Sequence, residues 1–153
     1  MNIGIELNSL LRACEDQSAL DFKAMRAQNA DAADAAYEDW VFLADNILDV
    51  DNMILEYAAD MKHALRTIVG KYEIKNVGTK ILNIDLVPQK DDADKCNIPN
   101  MVQQYLVCKV LTWWYVYRNA DIAALYEKKA TSALAKIFWE CTPVIGTIQP
   151  RYF

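Results

Sequence analysis

The sequence predicts a mainly α protein: a helical bundle with a C-terminal antiparallel helical hairpin and a small β-hairpin insertion. Three observations carry that reading. Residues 18–69 contain neither Gly nor Pro and are rich in Ala, so helix is favoured throughout. Between Lys71 and Pro88 the apolar period drops to two. From Pro99 to Glu140 two apolar-striped segments flank the polar break Arg118-Asn119-Ala120-Asp121. The chain has 153 residues. It reads as one domain over residues 1–141, followed by an apolar tail over 142–153.

At the N-terminus, Ile3, Leu7, Leu10, Leu11 and Cys14 fall at helical spacing, which predicts a short first helix interrupted at Glu15-Asp16-Gln17. Ser18 with Asp21 three residues on resembles a capping box for the next start. Ala30, Ala32, Ala33, Ala35 and Ala36 have high helix propensity, and Tyr37, Trp40, Val41, Ala44, Ile47 and Leu48 draw one stripe. Ser18 to Leu48 forms either one long helix or two with a break near Asn29-Ala30-Asp31. Asp49 or Asp51 caps the next helix, whose stripe Met53, Ile54, Tyr57, Met61, Leu65, Ile68 and Val69 ends at Gly70. Lys62 and Arg66 complement the dipole near its end.

Tyr72 to Val77 alternates apolar and polar, Gly78 offers a turn, and Lys80 to Val87 alternates again, giving a β-hairpin at about 72–87. A lone hairpin is marginal, so it must lie on the helices or join a sheet with another copy. Gln89 to Asn97 is a polar, charged loop. Pro99 suits the first turn of a helix, where no intrahelical N–H is lost. From Val102 to Tyr117 apolar residues fall on every face, so this helix must be surrounded. Ile122, Leu125, Tyr126, Ala130, Ala133, Leu134, Ile137 and Phe138 then form one face of the second helix of the hairpin. Pro143 and Pro150 exclude regular helix from the tail, yet Val144, Ile145, Ile148, Tyr152 and Phe153 gain by burial. Such a tail docks on a neighbouring subunit or another protein, or folds back on its own chain.

Composition narrows the functional classes. Hydrophobic residues make up 54% and charged residues 24%, a globular balance. Net charge is −5, with 13 acids and 5 bases in residues 1–70 against 3 acids and 6 bases in residues 105–153. An acidic majority disfavours general nucleic-acid binding, whereas the opposed halves suit either attraction between copies or plain solvation. Lys109 and Arg118 bound the longest apolar run, so no membrane span is expected. The N-terminus lacks the pattern of a secretory leader, and synthesis in the cytoplasm is expected. Cys14, Cys96, Cys108 and Cys141 are widely spaced, which argues for buried or idle thiols rather than a disulfide scaffold.

The search for chemistry returns little. His63, the only histidine, sits in a helix without a ligand partner at metal-binding spacing. The cysteines form no C-x-x-C pair. Asp45, Asp49 and Asp51 lack the central Gly and closing Glu of a calcium loop. Four glycines in the whole chain leave no phosphate-binding loop. Glu38 and Asp39 are adjacent and point in different directions. No catalytic residue, cofactor or metal is therefore assigned. The candidate interface residues are Trp113, Trp114, Tyr117, Val144, Ile145, Ile148, Tyr152 and Phe153. The cluster Trp113-Trp114-Tyr115-x-Tyr117 reads either as core or as an intersubunit anchor. Because adjacent helical residues diverge by roughly 100°, the two tryptophans cannot share one contact.

Ile98-Pro99 leading into the aromatic helix, the turn Arg118-Asn119-Ala120-Asp121, the run Ile122-Ala123-Ala124-Leu125-Tyr126-Glu127-Lys128-Lys129 and then Ala133-Leu134-Ala135-Lys136-Ile137 together resemble a known pattern. It is similar to the small head–tail connector (adaptor, neck ring) proteins of tailed bacteriophages. The resemblance covers about the last third of the chain, and the rest only in element order. The long Ala-rich N-terminal region and the hairpin at Tyr72 to Val87 depart from the better-known members. The resemblance implies a non-enzymatic structural protein of the virion neck, made in the bacterial host cytoplasm. Its implied assembly is a homo-oligomeric ring of about a dozen copies, contacting portal and tail or neck proteins. Acidic walls would let DNA pass through the channel without sticking. The alternative is a small cytoplasmic helical interaction module that binds a single protein partner. An enzyme ranks third because the motifs are missing.

Overall fold

Ile3 and Ile5 alternate with Asn2, Gly4 and Glu6, and the backbone there follows the period of two rather than the helical spacing that begins with them. The computed structural model of the chain describes residues 1–28, 40–47, 49–76, 80–90 and 97–143. Its elements run β1 (Asn2–Glu6), α1 (Leu7–Gln28), a 3-10 turn (Ala44–Asn46), α2 (Val50–Leu65), β2 (Val69–Asn76), β3 (Ile81–Pro88), α3 (Asn97–Tyr115) and α4 (Ala120–Cys141). The described residues are mainly helical, with one small three-stranded antiparallel sheet.

The sheet has the order β1-β3-β2. The expected hairpin therefore gains its third strand from the N-terminus of its own chain. Ile3 pairs with Ile84 and Ile5 with Leu82, while Tyr72 pairs with Leu86 and Ile74 with Ile84. These residues point to one face, and all but the half-buried Ile74 are fully buried. The opposite face is mostly polar, apart from the exposed Ile81 and Val87, and Lys71 Nζ lies there 3.0 Å from Asp85 Oδ2. A sheet buried on one side only needs a helical cover. Tyr72 provides one tie to it, its hydroxyl donating to the Ala58 carbonyl of α2 over 2.9 Å.

Several expectations are corrected. The first helix is not interrupted at Glu15-Asp16-Gln17, because those side chains lie at the edge of a continuous helix whose buried stripe is Leu7, Leu10, Leu11, Cys14, Ser18 and Phe22. Ser18 is consequently no cap. It lies wholly buried inside α1, donating to the Glu15 carbonyl and accepting the Phe42 amide, each over 2.9 Å. The stripe continuing to Ile47 is not α-helical over 41–47, where only the short 3-10 turn Ala44–Asn46 forms: the Phe42 amide bonds Ser18 and the Ala44 amide bonds Glu15 Oε1 over 3.2 Å, so neither serves an α-helical ladder. Ala30 to Ala36 and Tyr37 lie outside the described residues.

Helix α2 stops at Leu65, not Gly70; Ile68 closes a turn onto the Leu65 carbonyl, and Gly70 lies within β2. Asp49 occupies the N-cap position in a left-handed conformation (φ 56°) without a side-chain capping bond. Pro99 lies in the first turn of α3, and α3 ends at Tyr115, so Val116 and Tyr117 belong to the connection. Asn119 caps α4, its side-chain oxygen accepting the Ile122 amide over 3.2 Å. Among the residues of α3, Ile98, Val102, Tyr105, Leu106, Cys108, Val110, Leu111, Trp114 and Tyr115 are buried. They pack against α1, α2 and α4 in one contiguous core that also takes in the buried face of the sheet. The helix is nevertheless not surrounded on every side, because Trp113 stays 41% exposed.

Candidate functional site

The connection between α3 and α4 separates its aromatic residues by environment. Trp114 is buried: its indole N–H donates to the Trp40 carbonyl over 2.9 Å, and its ring meets Phe42 edge-on at 5.6 Å. Arg118 stacks over the same ring with its guanidinium carbon 3.5 Å from the centroid, and Nη1 donates to the Trp114 carbonyl over 2.8 Å. This tryptophan holds the 40–42 segment against α3 and offers nothing to a partner, which removes it from the candidate interface. Trp113 diverges from it, its ring tilted at 46°. Trp113, Val116 and Tyr117 are exposed, Tyr117 at 94%. Aromatic side chains left in water at one end of a helix suit contact with another surface.

Behind this end lies a polar cluster. Asp21 of α1 accepts hydrogen bonds through Oδ2 from the hydroxyls of Tyr115 on α3 and Tyr126 on α4, the first over 3.2 Å. The tyrosine rings stack at 5.8 Å with 4° between their planes. Gln17 donates to Asp21 Oδ1 over 3.4 Å. Burial first, and the Asp21 carboxylate second, push both phenols above their ordinary range. Tyr126 also borders an open groove of about 400 Å³ lined by Gln17, Asn100, Gln103, Gln104, Cys108 and Lys129 among others. Burial raises the Cys108 thiol too. At neutral pH the phenol and thiol at this groove are therefore neutral, and its amides can donate and accept hydrogen bonds but cannot move protons.

His63 is exposed on α2 with Arg66 Nη1 3.5 Å from both ring nitrogens. Asp45 and Asp51 border a second polar groove together with Glu15, Arg12 and Lys80, so cations of the chain itself face the acids there. Among the described residues, no group of three or more His, Cys, Asp or Glu side chains is placed to hold a metal ion, and no helix is long and apolar enough to cross a membrane. Cys14, Cys108 and Cys141 are buried free thiols, while Cys96 lies outside the described residues.

Val144, Ile145, Ile148, Tyr152 and Phe153 also lie outside the described residues. Three exposed apolar residues of α4 escaped the sequence reading, Phe138 of the expected stripe among them at 36% exposure. Leu125 was expected on the buried stripe of α4 but is 50% exposed, and Trp139, off that stripe, is 72% exposed beside Phe138. A tryptophan off the stripe of an amphipathic helix is itself the available signal. No protein-family model, no curated protein and no solved structure matches the chain.

Proposed function

We propose that this protein is a non-enzymatic structural component of a tailed-phage head–tail connector or neck ring, whose copies join portal to tail around the DNA channel. The observation that carries the reading is the sequence pattern from Ile98 to Ile137, which resembles that family. We read α3 and α4 as the antiparallel hairpin of a helical bundle. Stacking of Tyr115 on Tyr126 and the 3.4 Å ion pair from Lys109 to Glu127 support that pairing. The exposed Trp113 and Tyr117 at the turn then serve as the ring contact, since aromatic anchors concentrate binding energy. The acidic balance keeps DNA from adhering to the channel wall.

Native mass spectrometry of the purified chain, with and without a co-expressed portal, tests the reading. A closed ring of about a dozen copies, weakened by Trp113→Ala with Tyr117→Ala, is the expected result. A monomer under both conditions overturns it. A one-to-one complex with a single partner favours the interaction-module alternative.

A further inference from the structure

In the order β1-β3-β2, the outer strands β1 and β2 each pair with β3 and run antiparallel to it, so they are parallel to one another. The Leu86 amide bonds the Met1 carbonyl over 2.8 Å, and the Leu7 amide bonds the Lys80 carbonyl over 2.9 Å. Bonding alternates along an antiparallel ladder, so Ile3 and Ile5 also turn their backbone groups to β3, and those of Asn2, Gly4 and Glu6 face away. The same alternation on β3 gives Asn83, Asp85 and Val87 to β2. Lys75, Glu73 and Lys71 receive them, and the backbone groups of Tyr72 and Ile74 face outward. Among the described residues, no hydrogen bond from a turn, loop or side chain meets these outward backbone groups of β1 and β2. Ile74 is half-buried at this edge, whereas its central partner Ile84 is 0% exposed.

The two edges match in one parallel register. With Gly4 opposite Glu73 of a second copy, Ile3 and Ile5 fall beside Tyr72 and Ile74 on the buried side, and Glu6 falls beside Lys75 on the exposed side. A shift of two residues one way sets Glu6 against Glu73, and the other way carries it past Lys75. Antiparallel alignment of β1 with β2 through the same outward groups would put the two buried faces on opposite sides. The charges are available for this contact. Glu6 is exposed, has Ile81 as its cross-strand neighbour and makes no ion pair among the described residues. Lys75 reaches Glu73 only at 3.9 Å.

We propose that copies of this chain join head to tail, β1 of one copy adding to β2 of the next as a parallel strand. The Gly4 amide donates to the Tyr72 carbonyl of the second copy, and the Ile74 amide of that copy donates to the Gly4 carbonyl. Open strand edges are templates for such pairing, and opposite charges fix its register. A head-to-tail contact closes into a ring or continues as a filament. The inference rests on the sheet alone, without the connector reading. A ring held only through Trp113 and Tyr117 would leave these edges open, and a strand-joined filament indifferent to portal would keep the edge contact while refuting the connector.

Sedimentation of the intact chain up to millimolar concentration, with hydrogen exchange at the Gly4, Glu6, Tyr72 and Ile74 amides, provides the test. Association should grow with concentration and slow exchange at these four amides. Glu6→Lys or Lys75→Glu alone should raise the concentration needed for half-assembly about tenfold, since each sets like charges together. An equal mixture of the two variants should assemble as the intact chain does, because each altered edge then meets its opposite charge. Gly4→Pro, which removes an outward amide and no bond to β3, should abolish association. The charge variants keep the test readable if that substitution impairs folding. A monomer at every concentration, or assembly with the four amides still exchanging freely, overturns the proposal. So does a mixture no better than either variant alone, or growth that stops at two copies, the mark of like edges pairing with like.

Discussion

Tyr115 and Tyr126 stack in parallel and donate both hydroxyls to one oxygen of Asp21, so a single carboxylate ties α1 to α3 and α4. Each tyrosine is at most 3% exposed. Both side chains are buried, although Tyr126 borders the open groove, and the shared acceptor satisfies both hydroxyls.

Asp21→Ala strands both hydroxyls, and each buried unpaired donor costs about 1–3 kcal/mol. Loss of about 2–4 kcal/mol in urea unfolding is expected, whereas Asp21→Asn, which keeps an acceptor oxygen, loses less. Adding Tyr126→Phe to Asp21→Ala should recover part of the loss, because the stranded group is then absent. Equal destabilisation by Ala and Asn would show that the carboxylate's charge, not its acceptor oxygen, holds the cluster.

The buried tyrosines also set an alkaline limit. Burial raises Tyr72, Tyr105, Tyr115 and Tyr126, with Tyr105 pushed up to about 12. In the unfolded chain these phenols ionise near pH 10, so above that pH the unfolded state releases protons that the folded state retains. Stability from this source is fully present below about pH 10 and falls as pH rises toward the folded values. Absorbance at a phenolate wavelength should show these four tyrosines titrating only as the protein unfolds. Reversible titration near pH 10 in the folded protein would contradict the burial.

Thiol chemistry follows the same logic. Cys14 is pushed up to about 12 and Cys141 to about 11, burial being the main cause, and Cys108 is also raised. Only thiolate reacts with a disulfide reagent, so at pH 8 these three cysteines should modify slowly in the folded protein and rapidly in denaturant. Fast native reaction of Cys14 would mean that α1 opens locally.

Legibility in the sequence tracked the distance over which each element is determined. The strands of Tyr72 to Val87 and the Asn119 turn rest on neighbours in the chain, and periodicity with turn chemistry was sufficient to place them. The N-terminal strand failed because Ile3, Leu7 and Leu10 fit a helix while Ile3 and Ile5 fit a strand; the partner that decides, Ile84, is far away in sequence. Val41 to Ile47 failed for a similar reason, since Ser18 and Glu15 capture its amides from a separate helix. At the candidate interface, adjacent Trp113 and Trp114 were expected to diverge. Which one faces inward depended on Phe42 and Trp40, which sequence alone could not bring together.

Ser18→Ala tests that long-range capture directly. Ser18 is fully buried and its hydroxyl oxygen accepts the Phe42 amide, and Phe42 is itself fully buried. Losing the hydroxyl leaves that amide without its acceptor, at a cost of about 1–3 kcal/mol. Hydrogen exchange at the Phe42 amide should accelerate more than exchange in the centre of α3. Unchanged protection at Phe42 would indicate that another acceptor replaces Ser18.

Two residues near one another in sequence, one within α3 and one just beyond its end, separate core from surface. Val110 is 0% exposed in the middle of α3, and truncation to Ala removes two methyl groups from packed surroundings. The expected loss is about 1–3 kcal/mol, below that of larger core side chains. Tyr117 is 94% exposed just beyond the helix end, so Tyr117→Ala should change monomer stability by no more than about 0.5 kcal/mol. If Tyr117 anchors a ring contact, its variant instead lowers the assembled fraction at fixed concentration. Chemical unfolding of each variant, paired with its mass in solution, reads both effects at once. A negligible change for Val110→Ala would place this face of α3 at the surface, and an unaltered assembly for Tyr117→Ala would remove that side chain from the contact.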